Sequence, residues 1–177
     1  YVIILLGLIA LALAAERLMT LSRIGSRVKT QSKNLSSADS GNPLGRVLQV
    51  YSKNKGVDAE TLQLKLDEAV LKEQPLINAR IAFIKIISMV APLLGLLGTV
   101  IGMIVTFQAI TLFGTGDPKT MAGGISQALI TTVLGLTVAI PTVLLHSIVD
   151  SRAKGILHIL TEQSAGMVAQ HAESPSS

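Results

Sequence analysis

Apolar positions collect into three uncharged blocks, residues 1–15, 86–107 and 121–149, separated by stretches dominated by charged, hydroxyl and amide side chains. An α-helix rises about 1.5 Å per residue, so an apolar run of about 18 residues or more is long enough to cross the hydrocarbon core of a bilayer. The second and third blocks meet that length outright. The first, "YVIILLGLIALALAA", also has the look of a signal-peptide core ending in small residues. Two features count against cleavage: no basic region precedes it, and the sequence after it is rich in lysine and arginine. We therefore read residues 1–21 as a first membrane helix, with Glu16 and Arg17 near its end, where long side chains can snorkel to the interface. A start in apolar sequence without methionine leads us to expect residues ahead of Tyr1.

After the first block, "RVKTQSKNLSSADSGNPLG" is rich in Ser, Asn, Gly and Pro and reads as a loop. From residue 57, "VDAETLQLKLDEAVLKEQPLINAR" carries Leu62, Leu66 and Val70 at helical spacing behind an acidic start, with Asp58 as the cap. The pattern predicts a helix over 57–80, bent at Pro75, that runs on into the second span. The predicted layout is a first transmembrane helix at 1–21, a cytoplasmic loop and helix at 22–80 and a second transmembrane helix at 81–107. A short periplasmic loop at 108–120, a third transmembrane helix at 121–149 and a cytoplasmic helix and tail at 150–177 complete it. The fold class is an all-α membrane protein with long helical extensions beyond the bilayer.

Composition agrees. Charged residues make up 15% of the chain, against roughly a quarter in soluble domains. Of fifteen Lys and Arg residues, twelve lie between Arg17 and Lys85; the connection between the second and third spans holds only Lys119, and the tail holds Arg152 and Lys154. Cytoplasmic loops carry the excess of basic residues, which predicts the N-terminus outside and the C-terminus inside. This topology accounts for the net charge of +4, and because basic and acidic residues are interleaved, a nucleic-acid partner is not expected. The chain has no cysteine, which excludes disulfides, thiolate metal sites and cysteine nucleophiles.

The two longer spans are polarised around their axes. Advancing about 100° per residue, Ser88, Ala91, Pro92, Gly95, Gly98, Thr99, Gly102 and Thr106 fall on one side of the second span, opposite its leucines, isoleucines and valines. On the third span, Gly124, Gln127, Ala128, Thr131, Thr132, Gly135, Ala139 and Thr142 share one broad face. Ser126 and Thr137 lie off that face, where hydroxyls can bond back to their own helix. Lipid already solvates leucine, so helices in a bilayer associate through small residues that allow close approach and through polar side chains that bond across the contact. Gly98 and Gly102 form a GxxxG pair within such a face. Two readings stay open on pattern alone: tight packing, with each interhelical hydroxyl bond worth about 0.6 kcal/mol on average, or the lining of a water-filled path. Gln127 shifts the balance toward the path, because a primary amide needs several partners and is costly to bury half-satisfied, but the pattern alone does not settle it.

Other motifs carry less. "GTGDPK" lacks the spacing and the following Ser or Thr of a phosphate-binding loop and reads as a turn. His146, His158 and His171 are scattered, without the ligand spacing of a zinc site, and no Ser/His/Asp arrangement can be placed, so neither metal nor enzyme chemistry is expected. His146 reads as an interfacial residue.

At "APLLGLLGTVIGMIVTF", followed by "GGISQALITTVLGLTVAIP", the chain resembles the MotA/TolQ/ExbB proton channel family, closely over residues 85–165 and more loosely before them. The resemblance implies a homopentamer in the bacterial inner membrane whose second and third spans line a central pore. Single-span helices of an ExbD-type partner, bearing a membrane aspartate, would sit in that pore. Proton motive force would drive a motion passed to a TonB-like protein, energising transport across the outer membrane, with protons as the coupling ion and no other cofactor. It matches Thr99 and Thr132 to pore-facing positions and Pro92 and Pro141 to family prolines, which tilts the reading of the small-residue faces toward a lined path. Many members have a glutamate in "GIxEAL" where this chain has Gln127, and an amide does not titrate near neutral pH. The resemblance therefore implies that the titrating carboxylate comes from the partner. Flagellar stators of the family have four spans and a larger cytoplasmic segment; a sister role in envelope integrity and a non-conducting scaffold remain as alternatives.

Overall fold

The computed structural model describes residues 1–35, 37–114 and 118–173. Among these the chain forms five helices and no strand: α1 (Val2–Lys33), α2 (Pro43–Lys53), α3 (Ala59–Ile77), α4 (Ile81–Phe113) and α5 (Pro118–Glu173). Three of them, α1, α4 and α5, are long and apolar enough to cross a membrane. Packing divides the molecule into two units: Tyr1–Ala15 with Arg80–Ser147, and Glu16–Ala79 with the part of α5 from Ile148 onward.

The helices extend further than the apolar runs. The loop expected from residue 27 begins only after Lys33, because the buried positions of α1, among them Ala10, Ala14, Arg17, Leu21, Val28 and Gln31, recur in steps of three, four or seven. That 3.5-residue repeat keeps one side of a helix against its neighbours whether the rest faces lipid or water. A further short helix, α2, begins at the end of the expected loop and fills the stretch before residue 57; Asn42 caps it by accepting from the Gly45 backbone N at 2.8 Å, and Pro43 occupies its first turn. The third span and the C-terminal helix are one continuous α5, with Pro141 inside it.

The second unit buries leucines together with paired polar groups. Leu62 and Leu66 of α3 and Leu44 and Val47 of α2 are fully buried. Glu73, buried on α3, takes a two-pronged bond from Arg46 of α2, Nε to Oε1 at 2.6 Å and the terminal nitrogen to Oε2 at 2.5 Å. The bonds it donates to Glu73 raise the Arg46 guanidinium above its ordinary pKa. Gln31 organises the turn between α1 and α2: its amide nitrogen donates to the Asn34 and Ser37 carbonyls at 2.7 and 2.8 Å, and its oxygen accepts from the Asp39 backbone N at 3.1 Å. Only glycine fits at position 45, where a Cβ would lie 1.8 Å from the Asp39 carbonyl oxygen.

α3 starts as expected: Asp58 accepts from the Thr61 backbone N and hydroxyl, both at 2.8 Å, and these bonds lower its carboxyl pKa. Its end differs. α3 contains Pro75 but does not run on into α4; it stops at Ile77, and the chain restarts after Arg80, which has φ of 62° in the left-handed region. Arg17 accounts for the stop. Instead of snorkelling, it is only 6% exposed, and its guanidinium donates to the Leu76 and Ile77 carbonyls at 3.0 and 2.8 Å. A cation there satisfies the last carbonyls of α3 and complements the negative end of the helix dipole.

Candidate functional site

In the first unit, the two small-residue faces meet each other. A Cβ built on Gly135 would lie 2.8 Å from the Ala91 carbonyl oxygen and 3.0 Å from the Gly95 Cα; one on Gly98 would lie 2.5 Å from the Thr131 Oγ1; one on Gly102, 2.7 Å from the Ala128 Cβ. Gly124 continues the series against Thr106. As numbers rise on α4 they fall on α5, so the two helices pack antiparallel along a seam in which glycine lets the backbones approach. Ala91, Thr106, Ala128, Ala139 and Thr142 are buried, while Leu93, Leu96, Val100, Leu129, Val133 and Ile140 face outward, more than 45% exposed.

Hydroxyls lock the middle of the seam. Thr131 Oγ1 donates to the Ala128 carbonyl at 2.6 Å and lies 3.2 Å from the Gly95 carbonyl of α4; Thr132 Oγ1 lies 3.3 Å from the same oxygen. Thr99 donates to the Leu96 carbonyl at 2.6 Å, Thr106 to Gly102 at 2.8 Å, and Thr137 to Val133 at 2.8 Å as its off-face position predicted. Pro92 and Pro141 sit inside α4 and α5. Lacking an N–H, each removes the backbone donor for the carbonyl four residues earlier.

The first turns of α1 cover one edge of this seam. A small cavity there is lined by Val2, Ile3, Leu94, Leu97, Ile101 and Thr131, and a second by Leu8, Leu11, Leu134, Val138 and Pro141. Gly7 makes the approach possible, since a Cβ on it would lie 2.9 Å from Val138. At about 100° per residue, Gln127 lies at the azimuth of Leu134 and Val138, on the α1 edge, and its side chain is exposed. Thr99 and Thr132 lie about 120–160° around their helices from the α1-facing residues, on the opposite edge, and both are half-buried. So the structure brings Thr99, Thr131 and Thr132 around Gly95 and sets Gln127 apart from them.

What pattern reading missed is the Gly95 carbonyl as the acceptor both threonines approach. No side-chain signal could mark it; the spacing of Thr131 and Thr132 opposite a glycine is the nearest hint. The turn expected at "GTGDPK" lies in part outside the described residues. On its two sides, Gly114 caps α4 with φ of 74° and α5 begins at Pro118.

The geometry defines a class: among the described residues, an all-helical protein with three helices long and apolar enough to cross a membrane, two of which form a glycine and threonine seam free of carboxylates. The chain belongs to the MotA/TolQ/ExbB proton channel family, whose match covers residues 39–162, and within it the chain is close to ExbB. It is 33% identical over 124 residues to the biopolymer transport protein ExbB-like 3 of Synechocystis sp., covering 69% of this chain and 59% of that one. It is 49% identical over 57 residues to the biopolymer transport protein ExbB of Helicobacter pylori, covering 32% and 39%. To the Tol-Pal system protein TolQ of Pseudomonas aeruginosa it is 30% identical over 89 residues, covering 50% and 38%. The matched stretches thus span less than two thirds of these relatives' own lengths.

Proposed function

We propose that the chain is the multi-pass subunit of a proton-motive-force-driven energiser in the bacterial inner membrane. It would assemble as a homopentamer with its N-terminus outside, around an ExbD-type partner, and act on a TonB-like protein to energise transport across the outer membrane. The observation that carries this reading is chemical: from Ile81 to Val149 the only acidic residue is Asp117, between the second and third spans, while Thr99 and Thr132 offer hydroxyls on one edge of the seam. A hydroxyl can donate to a carboxylate and accept from a carboxylic acid, so it serves both protonation states of a partner's aspartate. This subunit supplies the wall and the partner supplies the titrating group. Moving one charge through 100 mV yields about 2.3 kcal/mol, enough to bias a rotation or shift of packed helices.

The deciding measurement is proton flux into liposomes for the subunit alone, with its partner, and with an aspartate-to-asparagine variant of that partner. We expect flux only with the intact partner; flux that persists without its carboxylate overturns the mechanism. Thr99→Val and Thr132→Val keep shape and remove a hydroxyl, and each is expected to abolish TonB-dependent uptake while the pentamer still assembles. Loss of assembly in both would favour a scaffold role. Gln127 lies on the α1 edge, away from these hydroxyls; Gln127→Leu is still expected to harm function more than Gln127→Glu, and equal tolerance of all three residues would leave the amide no part in the pathway.

The similarity to TolQ supports a second reading, coupling to envelope integrity. Complementation of strains lacking ExbB or TolQ separates the two: restored TonB-dependent uptake supports the first, restored envelope integrity the second.

A further inference from the structure

Within the second unit, α1 and α5 leave a groove of about 560 Å³ between them. Ser22, Ser26, Lys29 and Lys33 of α1 line it from one side, and Arg152 and Gly155 of α5 from the other, over an apolar floor of Leu21 and Ile156. Its three cations face no lining carboxylate. Arg152 donates to the Ser22 hydroxyl, a neutral partner. Among the described residues neither Lys29 nor Lys33 makes an ion pair. The carboxylates nearest along the two helices are Glu16, Asp150 and Glu162; Asp150 is held by Lys154 at 2.7 Å. The groove is also kept open: a Cβ on Gly155 would meet no atom within 4 Å, and one on Gly25 would only touch Ile156 at 3.7 Å.

Position narrows the ligand. The uncharged run of α5 ends at Val149, three residues before Arg152. The headgroup layer on each side of a bilayer is about 5–7 Å deep, or about four residues of helix. Arg152 and Ser22 therefore fall within it, and Lys29 can snorkel back toward it. We infer that this groove binds the phosphate of an anionic phospholipid from the inner leaflet, its glycerol and first methylenes resting on the apolar floor. Free phosphate would use the cations but leave that floor uncovered. The inference rests on the N-out topology proposed above, which puts the second unit on the cytoplasmic side, and its tests keep the two apart.

The test is native mass spectrometry of the purified full chain offered phosphatidylglycerol or phosphatidylcholine at equal concentration. Preferential retention of phosphatidylglycerol is expected. Lys29→Gln and Arg152→Gln should each weaken it roughly fivefold, and Arg152→Lys should keep most of it. Gly155→Leu fills the groove without altering a charge and should abolish the preference. Equal retention of both lipids, or an undiminished preference in Gly155→Leu and Arg152→Gln, overturns the site. So does displacement of the lipid by inorganic phosphate at equal concentration, which would mark a soluble-anion site. Because the chain has no native cysteine, single cysteines at Ser52 and Lys119 report sidedness through an impermeant maleimide. Labelling of Ser52→Cys from outside would overturn the inner-leaflet source and the topology together, while leaving the lipid preference to stand on the first measurement.

Discussion

The two units use two of the same helices, α1 and α5, and hold them by opposite means. In the first, contact is made by Gly95, Gly98, Gly102 and Gly135, and leucines such as Leu93, Leu96 and Leu129 point outward. In the second, Leu21, Leu62, Leu66 and Leu160 are buried, and charged or amide groups such as Arg17, Glu73 and Gln31 are buried with them. The inversion is the one expected if the first unit faces lipid and the second faces water. Water drives leucine inward, at roughly 25 cal/mol per Å² of apolar surface removed. Lipid exerts no such drive, so close backbone approach and hydroxyl bonds are what remain.

The largest expected effect tests that inversion with one residue type. Leu66 of α3 is fully buried, whereas Leu129 of α5 is 60% exposed on the outward face. Leu66→Ala should cost about 3 kcal/mol, read as lost hydrogen-exchange protection across α2 and α3. Leu129→Ala in lipid should change stability by less than about 0.5 kcal/mol. Comparable costs would mean that the outward leucines are load-carrying contacts and that the contrast between the units is false.

Glycines should show the reverse order with a smaller span. Gly135→Leu drives a side chain into the backbone at Ala91 and Gly95, which cannot give way as a side chain could. We expect a loss of about 1–3 kcal/mol, measured by detergent-titrated unfolding. Gly166 of α5 meets nothing within 4 Å, so Gly166→Ala should stabilise its helix by up to about 1 kcal/mol. A neutral Gly135→Leu would show that the seam tolerates separation.

The same contrast explains what could be read in advance. The spans were legible because a bilayer demands uninterrupted apolar length, and the seam was legible because small residues have few other reasons to align. α1 beyond residue 21 was not, because Arg17 and Gln31 occupy repeat positions where a hydrophobic residue is the usual marker. Their apolar stems pack while their polar ends serve the backbone carbonyls of Leu76, Ile77, Asn34 and Ser37. The break between α3 and α4 was equally hidden: Arg80 takes the left-handed conformation that glycine or asparagine usually announces. α2 was readable from its Asn42–Pro43 start, a cap followed by proline in the first turn, but the surrounding polar composition masked it. Within the site, the small-residue faces do not say which edge α1 covers. Gln127 and Thr132 therefore looked equivalent until α1 set them on opposite edges.

Acid sharpens the comparison at its smallest scale. Outside the residues at 115–117, every acidic side chain of the chain lies in the second unit or at its boundary at Glu16, and none in the α4–α5 seam. Asp58 accepts from Thr61 and Asp39 accepts from the Gly41 backbone N, and these bonds hold both carboxyls below their ordinary pKa. A depressed folded-state pKa contributes stability that is complete above the unfolded value, near pH 4 for aspartate, and is lost as pH falls through the folded value. Lowering the pH from 6 to 3 should therefore lower hydrogen-exchange protection factors, the rates relative to the unfolded chain at the same pH, first at the α2 and α3 N-termini. The Thr131–Gly95 seam should be unchanged over that range, because threonine hydroxyls and backbone carbonyls do not titrate there. Asp58→Asn keeps a capping oxygen but removes the titration. It should flatten the pH response at the start of α3 alone, and an unaltered response in that variant would assign the acid sensitivity to another carboxylate.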